Sequence, residues 1–116
     1  MNLFSWGPTA LSSGVISDFK IECDALTDRD WACLANLASQ KIKFSRAIPV
    51  PTGGNRFADY LNLHADMGPV LICDDVLTTG NSMEKIRACV KNSDVIGVVV
   101  FARGKCPDWI TPIFTM

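Results

Sequence analysis

One stretch limits the fold more than any other: Val70-Leu71-Ile72-Cys73-Asp74-Asp75-Val76-Leu77-Thr78-Thr79-Gly80-Asn81-Ser82. Its opening apolar run is too short for a helix and reads as a buried strand. Two adjacent carboxylates stand at the strand's end, and a small, hydroxyl-rich turn with one glycine follows. Beyond it Met83, Ile86, Cys89 and Val90 recur at helical spacing. The unit is strand, acidic pair, anion-sized loop and helix.

Each part has a chemical use. Free N–H groups in such a loop, together with a helix N-terminus, form a positive concavity suited to a phosphate. Thr78, Thr79 and Ser82 add hydroxyl donors, and Gly80 lets the backbone turn and approach a ligand closely. Asp74 and Asp75 would repel a phosphate. They therefore suit the hydroxyls of a sugar, or Mg²⁺ held directly or through water. A phosphorylated sugar satisfies both halves; a buried strand with a capped helix and no ligand is the plainer alternative.

The rest of the chain supplies strands and helices for an α/β fold. Thr27 caps a helix with acids in its first turn, and Trp31, Leu34, Ala35, Ala38 and Ile42 mark its buried face. Ala47-Ile48-Pro49-Val50 reads as a strand, with Pro49 and Pro51 near its end. Pro51-Thr52-Gly53-Gly54-Asn55 is a glycine-rich loop, and Arg56 to Leu61 suggests a short helix after it. Leu63 to Pro69 is a connection. Val95 to Ala102 is a continuous apolar run, as expected of a central parallel strand, and Arg103 stands at its C-terminal end, where open α/β sheets bind ligands. Ile110 to Met116 gives a last, short strand. Near the N-terminus Phe19, Ile21 and Cys23 alternate with Lys20 and Glu22, and Ser12-Ser13-Gly14 would turn a hairpin.

The 70–82 stretch closely resembles the phosphoribosyl-diphosphate (PRPP) motif of type I phosphoribosyltransferases. Val50-Pro51-Thr52-Gly53-Gly54 is similar to the pyrophosphate loop of the orotate-using members. Leu11-Ser12-Ser13-Gly14 resembles their N-terminal turn, with Ser12 where a lysine is common. The resemblance implies a type I phosphoribosyltransferase-like fold, a mostly parallel sheet flanked by helices with an N-terminal hairpin; the expected departure is that the chain has no flexible lid. The family has a further strand and a long basic loop before the PRPP strand. Here only the 63–69 connection stands there, with His64 as the sole candidate replacement group and a solvent-exposed histidine as the plainer reading.

The resemblance also implies an activity: transfer of a phosphoribosyl group from PRPP to a nitrogenous base, orotate by preference, in pyrimidine nucleotide synthesis. Asp74 and Asp75 would be catalytic and hold Mg²⁺. Thr78, Thr79, Gly80, Asn81 and Ser82 would bind the 5-phosphate. Thr52, Gly53, Gly54 and Asn55 would bind pyrophosphate, and Arg103 the base. Thr78 stands where purine-using members often carry a carboxylate, which favours orotate. The alternative is a non-catalytic PRPP- or nucleotide-binding regulatory module or subunit; a truncated remnant is a third reading. A homodimer is one assembly the resemblance allows.

Composition bounds these readings. A chain of 116 residues is most simply one domain, 1–116, and 48% hydrophobic content supports a core. A net charge of −1, with scattered Lys and Arg, gives no footprint for nucleic acid. No apolar run approaches the ~20 residues that cross a membrane, and no signal peptide is expected. The cysteine count is odd, at five, with no C-x-x-C pair. All five are expected to be reduced and mostly buried thiols of a cytoplasmic protein, and the single histidine makes zinc a poor fit.

Overall fold

The computed structural model describes residues 4–5, 20–21, 26–90 and 94–115. The chain divides into two compact units, Met1–Asp30 and Trp31–Met116. In the first, β1 (Phe4–Ser5) pairs antiparallel with β2 (Lys20–Ile21), Phe4 opposite Ile21. This is part of the expected hairpin strand. The expected turn at Ser12–Gly14 lies outside the described residues.

Helix α1 (Asp28–Lys41) begins as its sequence predicts. The Asp30 N–H donates to Thr27 Oγ1 at 3.2 Å, and the Thr27 N–H donates back to Asp30 Oδ2 at 2.9 Å. Two start-of-helix amides are thus satisfied reciprocally. That bond from the Thr27 N–H is the main reason the Asp30 carboxyl titrates below its usual value. Trp31, Leu34, Ala35 and Ala38 are buried, and Trp31 meets Phe57 with ring centroids 5.6 Å apart.

The second unit carries a four-stranded, wholly parallel sheet in the order β3 (Arg46–Pro49), β4 (Val70–Leu77), β5 (Val95–Ala102), β6 (Ile110–Thr115). Helix α2 (Asn55–Leu61) joins β3 to β4, and α3 (Asn81–Cys89) joins β4 to β5. Central strands β4 and β5 are mostly buried along their length, which explains their unbroken apolar runs.

The two helices cover opposite faces. Ile72 packs with Met83 of α3, and a Cβ on Gly97 would meet Met83 Cε. Cys73 instead faces α2: its thiol donates to Gly54 O at 3.8 Å, and Asp59 of α2 is close enough to affect it. Consecutive strand residues point to opposite faces, so α2 and α3 lie on opposite sides. Both connections nevertheless step the same way across the sheet. They therefore wind in opposite senses, and one departs from the right-handed rule that parallel crossovers almost always obey.

Both sheet edges are blunted. Val50 and its even-numbered neighbours bond toward β4, the Val50 N–H reaching Cys73 O at 2.9 Å. Ala47 therefore points outward, and the Asn62 side chain closes it: the Ala47 N–H donates to Asn62 Oδ1 at 2.8 Å, and Asn62 Nδ2 donates to Ala47 O at 3.1 Å. Pro49 has no N–H to offer an incoming strand. On β6 the outward positions are Ile110, whose N–H is taken by Pro107 O at 3.0 Å, then Pro112 and Phe114. Prolines and side-chain plugs of this kind guard edges against pairing. Asn62→Leu should cost about 1–3 kcal/mol in urea denaturation by leaving the Ala47 N–H and C=O without that partner. It should also raise the tendency to aggregate; a change within 0.5 kcal/mol of the parent (about the ordinary scatter of surface substitutions) would refute this role.

Two expectations are corrected here. Cys33 and Cys89 are exposed, Cys106 is half-buried, and only Cys73 among the described cysteines is fully buried. Cys89 ends a nine-residue helix on its solvent side, so its apolar spacing did not report burial. Asn55 is the first residue of α2 rather than a loop residue. Among the described residues no helix is long and apolar enough to cross a membrane.

Candidate functional site

The carboxylates lie within β4 rather than beyond it. Asp74 pairs with Val99 and Val76 with Phe101, so the strand continues through the acids. Strand alternation then sends Asp74 and Asp75 toward opposite faces. Each carboxylate folds back onto the next amide: the Asp75 N–H donates to Asp74 Oδ1 at 2.8 Å, and the Val76 N–H donates to Asp75 Oδ1 at 2.7 Å.

Asp74 opens onto a polar notch of about 30 Å³, lined also by Thr78, Thr79, Gly80, Ser82 and Met83. That is room enough for at least one ordered water. Gly80 adopts φ 83°, the left-handed conformation that glycine favours, and α3 starts from it with no side-chain cap. The Asn81 N–H reaches Thr79 Oγ1 at 3.3 Å. The amides of Ser82 and Met83, in the first turn, have no intrahelical acceptor by helix geometry. The notch thus combines helix-start donors with hydroxyls, as an anion requires, beside a carboxyl that an anion alone would avoid.

Asp75 turns to the other loop. A Cβ built on Gly53 would lie 2.8 Å from Asp75 Oδ2 and 2.9 Å from Oδ1, so the 51–54 loop rests directly on that carboxylate. The loop is tightly held: the Gly54 N–H donates to Val50 O at 2.8 Å and the Asn55 N–H to Thr52 O at 3.1 Å. The Pro51–Thr52 peptide is cis. Thr52, Gly53 and Asn55 are exposed and Gly54 is buried, and α2 is only seven residues long. Two of the loop's amides serve the loop itself, which leaves fewer donors for a pyrophosphate than its glycines suggested.

Arg103 follows β5, where register places it beside Thr78. Its N–H donates to Leu77 O at 3.1 Å, tying the ends of β4 and β5 together, and its half-buried side chain keeps Nε away from solvent. The connection that follows is pinned to α3 by a contact that sequence reading missed. Trp109 Nε1 donates to Glu84 Oε1 at 2.8 Å, and the Arg87 guanidinium lies 4.6 Å from the Trp109 ring centroid. Trp109 and Glu84 are 25 positions apart, and a pair so distant leaves no local signal. His64 sits elsewhere: the 62–69 connection bonds to Ala47, Phe44 and Ser45 at the amino-terminal end of the sheet, opposite the loops. His64 ends a short 3-10 helix there, Asn62–His64, and is exposed.

The electrostatics centre on Asp74. Burial, and then the neighbouring Asp75 carboxyl, push its pKa up to about 7. Cys73 beneath is also pushed up, by burial and then by the negative charge of Asp74. A divalent cation near Asp74 would offset the cost of holding its charge there. Magnesium commonly uses one or two carboxylates, several waters and a ligand's phosphates, and this pair supplies that much. Among the described residues no group of three or more His, Cys, Asp or Glu forms a fuller cage.

The raised pKa has a sign in stability. Folding lifts Asp74 above its unfolded value, so the folded state holds a proton that the unfolded state releases. This contribution is complete below about pH 4 and is lost as pH rises through about 7. Partial solvent access limits it to about 1–2 kcal/mol. Asp74→Asn should therefore match the parent near pH 4 and melt several degrees higher at pH 8. Melting curves across pH test this, and a constant offset would refute it.

A larger cavity of about 170 Å³ lies between α1 and β6, lined by Leu37, Ile42, Val98 and Phe114 among others. It is apolar and shares no residue with the acid pair or either loop. Comparison with known proteins adds no assignment: no protein-family model, curated protein or solved structure matches this chain.

Proposed function

We propose that the chain binds PRPP and transfers its phosphoribosyl group to a nitrogenous base, orotate being the best match, as a cytoplasmic step of pyrimidine nucleotide synthesis. One observation carries this reading. A single carboxyl pair joins two anion-suited loops at one sheet edge, Asp74 lining the notch and Asp75 lying under Gly53. A ligand with a sugar between two phosphate groups is the simplest molecule to match that order. The opposite windings of α2 and α3 add support: they are what remains if a strand once lay outside β3 and was lost with its connection.

In this reading the first-turn amides, Thr78, Thr79 and Ser82 hold the 5-phosphate, and the 52–55 loop faces the pyrophosphate. Asp74 and Asp75 orient the ribose hydroxyls. Their negative charge favours the positive charge that builds on the sugar as the C1–oxygen bond to pyrophosphate breaks and the base nitrogen bonds to C1. Arg103, beside Thr78, would pair with a base carboxylate. Magnesium, held by the acid pair and water, would neutralise charge on the leaving pyrophosphate.

A second reading, a PRPP-binding module without turnover, is favoured by one feature. No lysine or arginine is among the residues lining the notch. Calorimetric titration with PRPP and Mg²⁺, followed by orotate with product detection, decides between them. Binding with formation of orotidine monophosphate supports the transferase. Binding without product supports the module, and absence of binding removes both.

A further inference from the structure

The missing side chain of Gly53 has a consequence for Asp75. The three nearest atoms to a Cβ at that position all belong to the Asp75 carboxyl: Oδ2 at 2.8 Å, Oδ1 at 2.9 Å and Cγ at 3.0 Å. No backbone atom is among them. The neighbouring glycine differs, since a Cβ on Gly54 would strike Cys73 O and the Val50 backbone. Gly54 therefore serves packing of the chain, whereas the closest neighbour that Gly53 makes room for is the Asp75 side chain.

Asp75 is held from several sides. Its carboxylate accepts the Val76 N–H at 2.7 Å and lies under Gly53, and its own N–H donates to Asp74 Oδ1 at 2.8 Å. Asp74 in turn lines the notch below Gly80. A continuous path runs from the 51–54 loop, through both carboxyls, to the start of α3. We infer that Gly53 is a positioning residue: by lacking a Cβ it seats the Asp75 carboxylate against Asp74, so that the two loops act on one ligand through a shared carboxyl pair.

An alanine at position 53 can be accommodated by rotation of Asp75 alone, because Gly53 is not in the left-handed region. The fold should survive and the carboxylate should move. The Val76 amide reports this without any ligand. In Gly53→Ala its NMR shift should change and its hydrogen exchange should quicken by tenfold or more, as in Asp75→Ala. The double variant should match Asp75→Ala with no added effect. An unmoved Val76 amide in Gly53→Ala, or additive effects in the double variant, would overturn the inference. If Gly53→Ala fails to fold, recovery of folding in the Asp75→Ala background supports it and failure in both backgrounds sinks it.

A second readout rests on the proposed function. Affinity for PRPP with Mg²⁺ should fall at least tenfold in Gly53→Ala, and the substitution should cost nothing further in Asp75→Ala. An equal fold-loss in both backgrounds counts against the positioning role. A parent protein that binds no PRPP would end the functional reading, and the Val76 amide would still decide the role of Gly53.

Discussion

Asp74→Asn combined with Asp75→Asn should weaken Mg²⁺-dependent PRPP binding at least a hundredfold and leave a folded protein that is more stable than the parent at pH 8. Both halves follow from the same geometry. The backbone bonds do not need charge: Asp75 N–H to Asp74 Oδ1 and Val76 N–H to Asp75 Oδ1 each require only an acceptor oxygen, which asparagine keeps. The amides also remove the cost of burying a charge at position 74, since burial first and the neighbouring Asp75 second raise the Asp74 pKa. The ligand loses more. Charge-assisted hydrogen bonds and cation contacts contribute roughly twice what neutral ones do, and a loss of about 3 kcal/mol over two groups is about a hundredfold in Kd. Calorimetry for binding and thermal melts at pH 8 measure both. Unchanged affinity would remove the site assignment, and a lower melting temperature would show that the charges serve the fold instead.

The regular elements were legible because local signals and burial agree in them. Thr27 and Asp30 announced α1, and the apolar runs at 70–73 and 95–102 announced β4 and β5, since a strand covered on both faces needs no alternation. The loops at 51–54 and 78–80 were legible from glycine and hydroxyl content. What could not be read concerns relations between distant residues. Adjacency of Asp74 and Asp75 in sequence suggested one shared direction, yet continuation of the strand through them separates their faces. The contact between Gly53 and Asp75 joins residues 22 positions apart (75 minus 53) by the position numbers of the chain. Nothing in the sequence marks Asn62, and only its place beside Ala47 shows it closing a sheet edge. The winding of α2 against α3 depends on which face each helix covers, and both faces of β4 are apolar enough to take either. Cys89 shows the same limit from the other side, for a helix on the outside of a sheet can place an apolar residue in solvent at little cost.

Gly54→Ala should be the most damaging single substitution in the two loops, costing about 3 kcal/mol or more in urea denaturation. A Cβ there would lie 2.5 Å from Cys73 O and 3.0 Å from both Val50 N and Val50 O. All three are backbone atoms of strands or strand ends, so no rotamer change relieves the clash. Retreat of the loop is opposed by the bonds that hold it. The Gly54 N–H donates to Val50 O at 2.8 Å, the Val50 N–H to Cys73 O at 2.9 Å, and the Ala58 N–H to Gly54 O at 2.9 Å. Moving Gly54 out by enough to seat a methyl group would stretch these three together and lift the start of α2 from Cys73. Losing even two such bonds costs a few kcal/mol when the groups remain buried. Gly80 is the useful contrast. Its φ of 83° disfavours alanine, but the nearest atom to a Cβ is Leu77 Cδ1 at 3.5 Å, an ordinary contact. Gly80→Ala should therefore cost only the ~1–2 kcal/mol of left-handed backbone. A Gly54→Ala variant as stable as Gly80→Ala would mean that the 51–54 loop can stand off from β4. In that case Gly53 would no longer be held over Asp75, and the link between the two loops would lose its physical basis.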